Sequence, residues 1–302
     1  MKSSMFLFRV LIFVFLFWAC TSDNKNPKNQ INSEFTFAFL TDIHVEPERR
    51  AMEGFQMAID TINSLAPDFV ITGGDLIMDA LAQDHSRADS LYLIYNSLVK
   101  KFKMPVHNTI GNHELFGIYQ KSGVDPEHPE YGKKMFENRI GKRYYSFDHK
   151  GWHFMILDGI GITPERTYVG LIDSVQMNWI KNDLLHVDDT TPIAISIHIP
   201  MLTVATQLER GALEPNGPAG VVTNSREVLA MFASHKLKLV MQGHLHFIED
   251  IYVNGTHFIT GGAVCAGWWK GSLNGMEEGF MLFRVKDDNF SWEYLDYGWE
   301  AE

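Results

Sequence analysis

Apolar and polar positions follow two rhythms along this chain, and its layout follows from where one gives way to the other. Residues 35–40, 69–71 and 105–110 are short apolar runs that read as strands. Between them, residues 51–65 and 86–101 carry apolar side chains at helical spacing. Met52, Phe55, Ile59 and Ile62 form the inner face of the first, with Pro67 closing it; Leu91, Ile94, Leu98 and Phe102 form that of the second. The opening third is therefore β-α-β-α-β. Residues 117–130 are polar, hold two prolines and read as a loop. Residues 144–147 and 152–158 predict a hairpin around Lys150-Gly151. Asp173-Ser174-Val175-Gln176 resembles a capping box opening a helix that runs to about His186.

Residues 192–197 predict a strand delivering His198, and residues 202–223, with five Gly and Pro, a long loop. A helix over 226–234 and a strand over 237–241 lead to Gly243-His244. Strands follow over 248–253, 257–260, 280–285 and 290–294, with Asn254-Gly255 as a hairpin turn. A βαβαβ half followed by a strand-rich half predicts an α/β protein with two sheets face to face and helices outside. One domain over residues 34–302 accounts for it.

The first residues change the picture of where the protein works. Lys2 and Arg9 precede a ten-residue apolar run over 10–19, which ends at Cys20 and is followed by polar residues. The run is shorter than the roughly 20 residues of a membrane span. It resembles a bacterial lipoprotein signal over residues 1–19, with a lipid on Cys20 tethering an exported enzyme to a membrane. An uncleaved anchor on an intracellular enzyme and an ordinary signal peptide are the alternatives. Residues 20–33, rich in Asn, Ser and Lys, read as a flexible tether. The net charge is −11, or −13 without Lys2 and Arg9, which disfavours a nucleic-acid polymer as partner. A small anionic substrate remains compatible if metal ions supply local positive charge. The two cysteines, Cys20 and Cys265, imply no disulfide framework.

The strand ends carry the chemistry. Asp42 and His44, Asp75, Asn112, His198, and His244 with His246 each follow an apolar run. Open α/β folds bind ligands at such strand ends. Four imidazoles, two carboxylates and an amide oxygen are more than one ion needs, and a second explains the surplus. Imidazole with carboxylate suits Mn, Fe, Zn, Co or Ni rather than Ca. A carboxylate can bridge two ions about 3.5–4 Å apart, and Asp75, flanked in chain order by the other donors, is the natural bridge. Such a pair binds a phosphoryl group and acidifies a bound water into a nucleophile. His113, beside Asn112, is placed to protonate the leaving oxygen or to hold the phosphate.

Asp42-x-His44, Gly74-Asp75, Gly111-Asn112-His113-Glu114, His198 and Gly243-His244-x-His246 together resemble the five-block signature of calcineurin-like metallophosphoesterases. The resemblance implies a four-layer α-β-β-α sandwich with two mixed β-sheets. It puts Asp42, His44 and His246 on one ion and Asn112, His198 and His244 on the other, with Asp75 bridging and His113 acting on the substrate. Two departures narrow it. Purple acid phosphatases carry a tyrosine where this chain has Met78, and phosphoprotein phosphatases carry an Asp-Arg-Gly pattern where it has Leu76-Ile77-Met78-Asp79-Ala80. The remaining resemblance is to the bacterial branch that includes cyclic-nucleotide and glycerophosphodiester phosphodiesterases. It implies a small phosphate-ester substrate and two divalent or mixed-valence ions, with Mn, Fe and Zn foremost. A phosphomonoesterase of the same fold and a non-catalytic ligand-binding surface lipoprotein are the rivals.

Some residues stay outside this scheme. His85, His107, His128, His149, His153, His186, His235 and His257 sit in no matching block and read as ordinary surface or core residues. Asp79 is a loop acid that could orient His113, and Asp158 ends a strand. Trp268 and Trp269 follow a glycine-rich turn, where packing at the sheet edge is preferred over stacking on a base or sugar. Cys265 reads as buried rather than reactive.

Overall fold

A computed structural model describes residues 34–301. The signal and tether expected over residues 1–33, with Cys20, lie outside the described residues. The chain runs β1 (Glu34–Leu40), α1 (Ala51–Leu65), β2 (Phe69–Thr72), α2 (His85–Val99), β3 (Val106–Asn108), α3 (Lys134–Arg139), β4 (Tyr145–His149) and β5 (Trp152–Ile156). It continues through β6 (Ile160–Ile162), β7 (Tyr168–Gly170), α4 (Ser174–Leu184), β8 (Pro192–Ser196), α5 (Ala205–Arg210), α6 (Ser225–Ala230) and β9 (Lys236–Gln242). It ends with β10 (Glu249–Val253), β11 (Thr256–Thr260), β12 (Gly279–Lys286) and β13 (Asn289–Asp296).

Helical crossovers make β1, β2 and β3 parallel neighbours. The other edge of β1 pairs antiparallel with β12, and β12 with β13, giving the order β13-β12-β1-β2-β3. The last hairpin therefore closes on the first strand, and the two halves expected from the sequence interleave. The second sheet has the order β10-β11-β9-β8-β5-β4, with β5, β8, β9 and β11 parallel and antiparallel strands at both edges. Both large sheets are mixed.

Period-two alternation divides each strand between two interfaces. Phe35, Phe37, Phe39, Phe69 and Ile71 cluster with Trp152, Phe154, Ile156, Leu239 and Met241 of the facing sheet. Phe37 stacks flat against Phe69 and Phe283, with centroids 5.1 and 4.7 Å apart. Each fully buried phenylalanine contributes about 1.5–3 kcal/mol. The alternate residues Ala38, Leu40 and Val70, and Ile193, Ile195 and Val240, belong to the cluster that includes the buried faces of α1, α2, α4 and α6. This is the α-β-β-α layering the sequence implied.

Several elements depart from the sequence reading. Met52 is exposed, and the buried face of α1 is Ala51, Phe55, Ala58, Ile59 and Ile62. In α2 the tyrosines Tyr92 and Tyr95 are buried in place of Ile94. Their hydroxyls donate to the Glu114 carbonyl at 2.7 Å and to Asn108 Oδ1 at 2.5 Å, which makes burial tolerable. Asp173 caps α4 by accepting from the Gln176 amide, but the Gln176 side chain does not reach back. It bonds the Asp158 backbone at both N–H and C=O. The loop read over 202–223 contains α5, and the helix read over 226–234 is shortened to α6. The small β6–β7 sheet and α3 were not anticipated.

Candidate metal centre

The site lies where strand ends of the two sheets meet. The loop after β1 is zipped to the loop after β2: Asp42 N–H donates to Gly74 O at 3.0 Å, and His44 N–H to Asp75 O at 2.9 Å. The end of β9 is tied to the first loop because His244 N–H donates to both Asp42 carboxylate oxygens, at 3.1 and 3.0 Å. Five site residues hold the left-handed backbone: Asp42 (φ 55°), His44 (46°), Asp75 (51°), His244 (73°) and His246 (50°). Non-glycine residues adopt it rarely and at a cost of order 1–3 kcal/mol each, so the fold holds strain at this place.

The strain brings all the expected donors together. Asp75 Oδ2 lies 3.1 Å from His198 Nε2, 3.6 Å from His44 Nε2 and 3.9 Å from His113 Nε2. His198 Nε2 lies 3.2 Å from Asn112 Oδ1. His44 Nε2 and His246 Nε2 approach to 3.2 Å, and His246 Nε2 is 3.4 Å from Asp42 Oδ1. Three groups have ligand atoms within 4.8 Å of one another: His44, Asp75 and His113; Asp75, His198 and His244; and His44, His246 and Cys265. Asp75 belongs to two of them.

The protonation pattern fits metal ions. His198 Nδ1 faces Gly73 O at 2.8 Å and His246 Nδ1 faces Ala266 O at 2.6 Å. A carbonyl only accepts, so each Nδ1 carries a proton, and each Nε2 points inward and offers its lone pair once its own proton is displaced. Burial, reinforced by the neighbouring His113, holds His44 down to about 3. Burial and the adjacent His198 hold His244 down to about 4. Both imidazoles are therefore neutral and ready to ligate. Burial opposes charge on Asp42, but His246 brings its carboxyl down to about 2. Burial likewise opposes charge on His198, yet Asp75 raises it to about 9, so an ion must displace a proton there. His44 Nδ1 is buried without a hydrogen-bond partner. Buried carboxylates, inward lone pairs and an orphaned ring nitrogen form a donor set of the kind divalent transition ions take.

Residues that the sequence left without a role complete the site. Glu114 is buried, and each of its oxygens accepts two backbone amides: Leu76 at 2.8 Å and Ile77 at 3.2 Å on Oε1, Asp75 at 3.0 Å and Gly111 at 2.6 Å on Oε2. Burial and the Asp75 charge push its pKa up. Four donors leave no acceptor for a carboxyl proton, however, and the hydrogen bonds hold Glu114 ionised. It fixes the loop that carries Asp75. Gly111 permits this closeness, since a Cβ there would lie 2.1 Å from Asp75 N. The sequence shows only that the acid follows two site residues, in Gly111-Asn112-His113-Glu114, and not which amides it holds. His113 is oriented by Met78 O, 2.5 Å from Nδ1, and not by Asp79, whose Oδ1 stands 3.9 Å away and accepts from Leu81 N–H instead. The Cys265 sulfur falls among the ligand atoms of His44 and His246, and burial raises its thiol pKa well above the usual value. Tyr168 stands edge-on to His244 at 6.2 Å.

The remaining residues have local duties. Asp158 is buried beneath Lys133 and Arg143, at 2.6 and 2.5 Å. His153 bridges Asp148 and Asp183, and His107 stacks on Phe147 at 3.6 Å. Trp269 is buried, as the packing reading has it, whereas Trp268 is exposed.

Comparison with known proteins agrees with this geometry. No protein of curated function matches the sequence. Among solved structures, a dimetal phosphatase from Danio rerio shares 16% identity at a TM-score of 0.61, covering 86% of this chain and 95% of that one. The purple acid phosphatase PPD1 from yellow lupin seeds shares 17% at 0.57, covering 88% of this chain and 52% of that one. GAP50, the anchor in the inner membrane complex of Plasmodium, shares 14% at 0.55, over 87% and 85%. At these identities the likeness establishes the fold. The sequence family described as calcineurin-like phosphoesterase matches residues 35–247, a span that runs from β1 through every expected ligand to just past His246. The chain belongs to the calcineurin-like phosphoesterases, hydrolases of phosphoric esters that work with divalent metal ions.

Proposed function

We propose that the chain is a dinuclear phosphoesterase that hydrolyses a small phosphodiester, of the cyclic-nucleotide or glycerophosphodiester type. The observation that carries this reading is the convergence of six donors about the Asp75 carboxylate. Asp42, His44 and His246 would hold one ion and Asn112, His198 and His244 the other, with Asp75 shared between them. Ions of the Mn, Fe or Zn kind supply charge neutralisation and acidify water. His113 acts on the opposite side of the phosphoryl group. With Nδ1 donating to Met78 O, its Nε2 carries a proton only in the imidazolium form. From that form it donates to the leaving oxygen.

Charge supports a diester. Among the described residues, the site's hydrogen bonds and ion pairs run to carboxylates, imidazoles, the Asn112 amide, the Thr41 hydroxyl and backbone, and none of these involves Lys or Arg. A monoanionic diester needs less counter-charge than a dianionic monoester. The test is metal content measured beside hydrolysis of bis-p-nitrophenyl phosphate and p-nitrophenyl phosphate with added Mn. Two ions per chain and faster diester cleavage are expected. Preference for the monoester would overturn the diester assignment, and metal-loaded protein inert to both would overturn the esterase reading.

We further propose that the N-terminal segment exports the chain and that a lipid on Cys20 tethers it to a membrane. The support is the Lys2, Arg9 and residue 10–19 pattern. Among the described residues no helix is long and apolar enough to cross a membrane. Labelled lipid should enter the native chain and not Cys20→Ser; equal labelling would sink the idea.

A further inference from the structure

Residues 261–269 form a turn whose two tryptophans have opposite fates. Trp269 is 2% exposed, and its indole N–H donates to the carbonyls of Ile43 at 3.1 Å and His44 at 3.0 Å. Its ring lies so close over α1 that a Cβ on Gly54 would come within 2.3 Å of it. The turn is thus pinned to the segment that carries two expected ligands. Trp268 is 39% exposed, although a whole core lies one residue away. Its ring stands 4.6 Å from His246 at 35° and 6.3 Å from His44 at 54°. Ala266 (φ 42°), Trp268 (55°) and Trp269 (62°) all hold the left-handed backbone. Three strained non-glycine residues maintain a large aromatic surface half in water at the rim of the metal centre.

We propose that Trp268 is a stacking platform for an aromatic ring of the substrate, which makes the substrate class a nucleoside phosphodiester. The inference rests on the phosphodiesterase reading and deepens it. His44 links the two functions, because its ring is packed edge-on by His113 at 4.6 Å on one side and approached by Trp268 on another. A phosphoryl group at Asp75 therefore has His113 and Trp268 bordering the same imidazole. Trp268 borders two expected ligands, His44 and His246, so a base joined through a sugar to a phosphoryl group at Asp75 would meet the indole. A base offers that face a flat π surface, whereas a glycerol or alkyl group offers none. Trp268 acts on binding, as a specificity-determining residue, and takes no proton.

The test compares two product-like ligands that differ only by the base. Calorimetry on the metal-loaded full chain measures AMP and ribose 5-phosphate against the native protein, Trp268→Ala and Trp268→Tyr, with metal content measured for each. Native protein should bind AMP on the order of tenfold more tightly than ribose 5-phosphate. Trp268→Ala should erase that ratio while leaving ribose 5-phosphate affinity and metal content as they were, and Trp268→Tyr should keep most of it. Equal affinities in the native protein, with ribose 5-phosphate bound, would overturn the platform and leave the esterase reading standing. Parallel loss of both ligands or of metal in Trp268→Ala would also overturn it, reducing Trp268 to a prop for His246. Failure of native metal-loaded protein to bind ribose 5-phosphate or inorganic phosphate would overturn the esterase reading and this inference together.

Discussion

Replacing Glu114 by glutamine tests whether the metal centre is prebuilt by the protein. The side chain keeps its shape, but one acceptor oxygen becomes an NH2 group facing two amide N–H donors. Two of the four hydrogen bonds are lost, at Leu76 and Ile77 or at Asp75 and Gly111. Hydrogen bonds to a charged group contribute about 1.5–3 kcal/mol each, so the loss is roughly 3–6 kcal/mol before relaxation. For a chain of this size 1 kcal/mol moves Tm by about 2–4 °C, so a fall on the order of 10 °C is expected. Differential scanning calorimetry in chelator reads the effect without bound ions, where a prebuilt loop still loses its anchor. Metal affinity should fall as well, because either Asp75 N–H or the loop after it is no longer held. A chelated Glu114→Gln protein melting within about 2 °C of the native one would refute the reasoning, since it would mean that those bonds carry less than 1 kcal/mol.

His113→Ala should retain both ions and lose turnover by about 10²–10⁴-fold on esters with poor leaving groups, but much less on p-nitrophenyl esters. An equal loss on both would count against proton donation. Glu130 concerns stability against pH. Burial raises its pKa, but Arg139, Asn138 and His85 more than offset this and bring it from 4.5 to about 2. A depressed carboxylate pKa stabilises the fold above the unfolded value and loses that contribution as pH falls through the folded one. Glu130→Gln should therefore lower the urea midpoint at neutral pH, and the difference from native should close between pH 4.5 and about 2. A pH-independent difference would argue that Glu130 acts by shape alone.

The strand ends were legible in the sequence because each donor follows an apolar run, and burial makes such runs read unambiguously. Asp42, His44, Asp75, Asn112, His198, His244 and His246 all meet where that logic puts them. The residues that shape the site were harder to see. Glu114 acts through backbone amides on a loop 37 to 39 residues away in sequence. No local pattern encodes such a pairing. The β6–β7 sheet escaped because three-residue strands carry too few positions for a period to show. Helix α5 escaped because Gly and Pro around it outweigh one turn and a half of helix. In α2 helical spacing located the buried face, but Tyr92 and Tyr95 took it from Ile94 because distant acceptors, the Glu114 carbonyl and Asn108, awaited their hydroxyls.

The tie between the β1 loop and the end of β9 also has a meaning in time. His244 bonds Asp42, and His246 meets His44, each across 202 residues of chain. A ribosome therefore makes Asp42 and His44 early and leaves them without partners until residues 236–246 have emerged. The strand that brings those partners, β9, then pairs along β8, and β11 adds to its other edge later. A chain cut short before His246 holds several donors and no closed site, however well its first strands have paired. Ester hydrolysis by this protein therefore reports chains that have been made past His246 and have brought both ends of that span together.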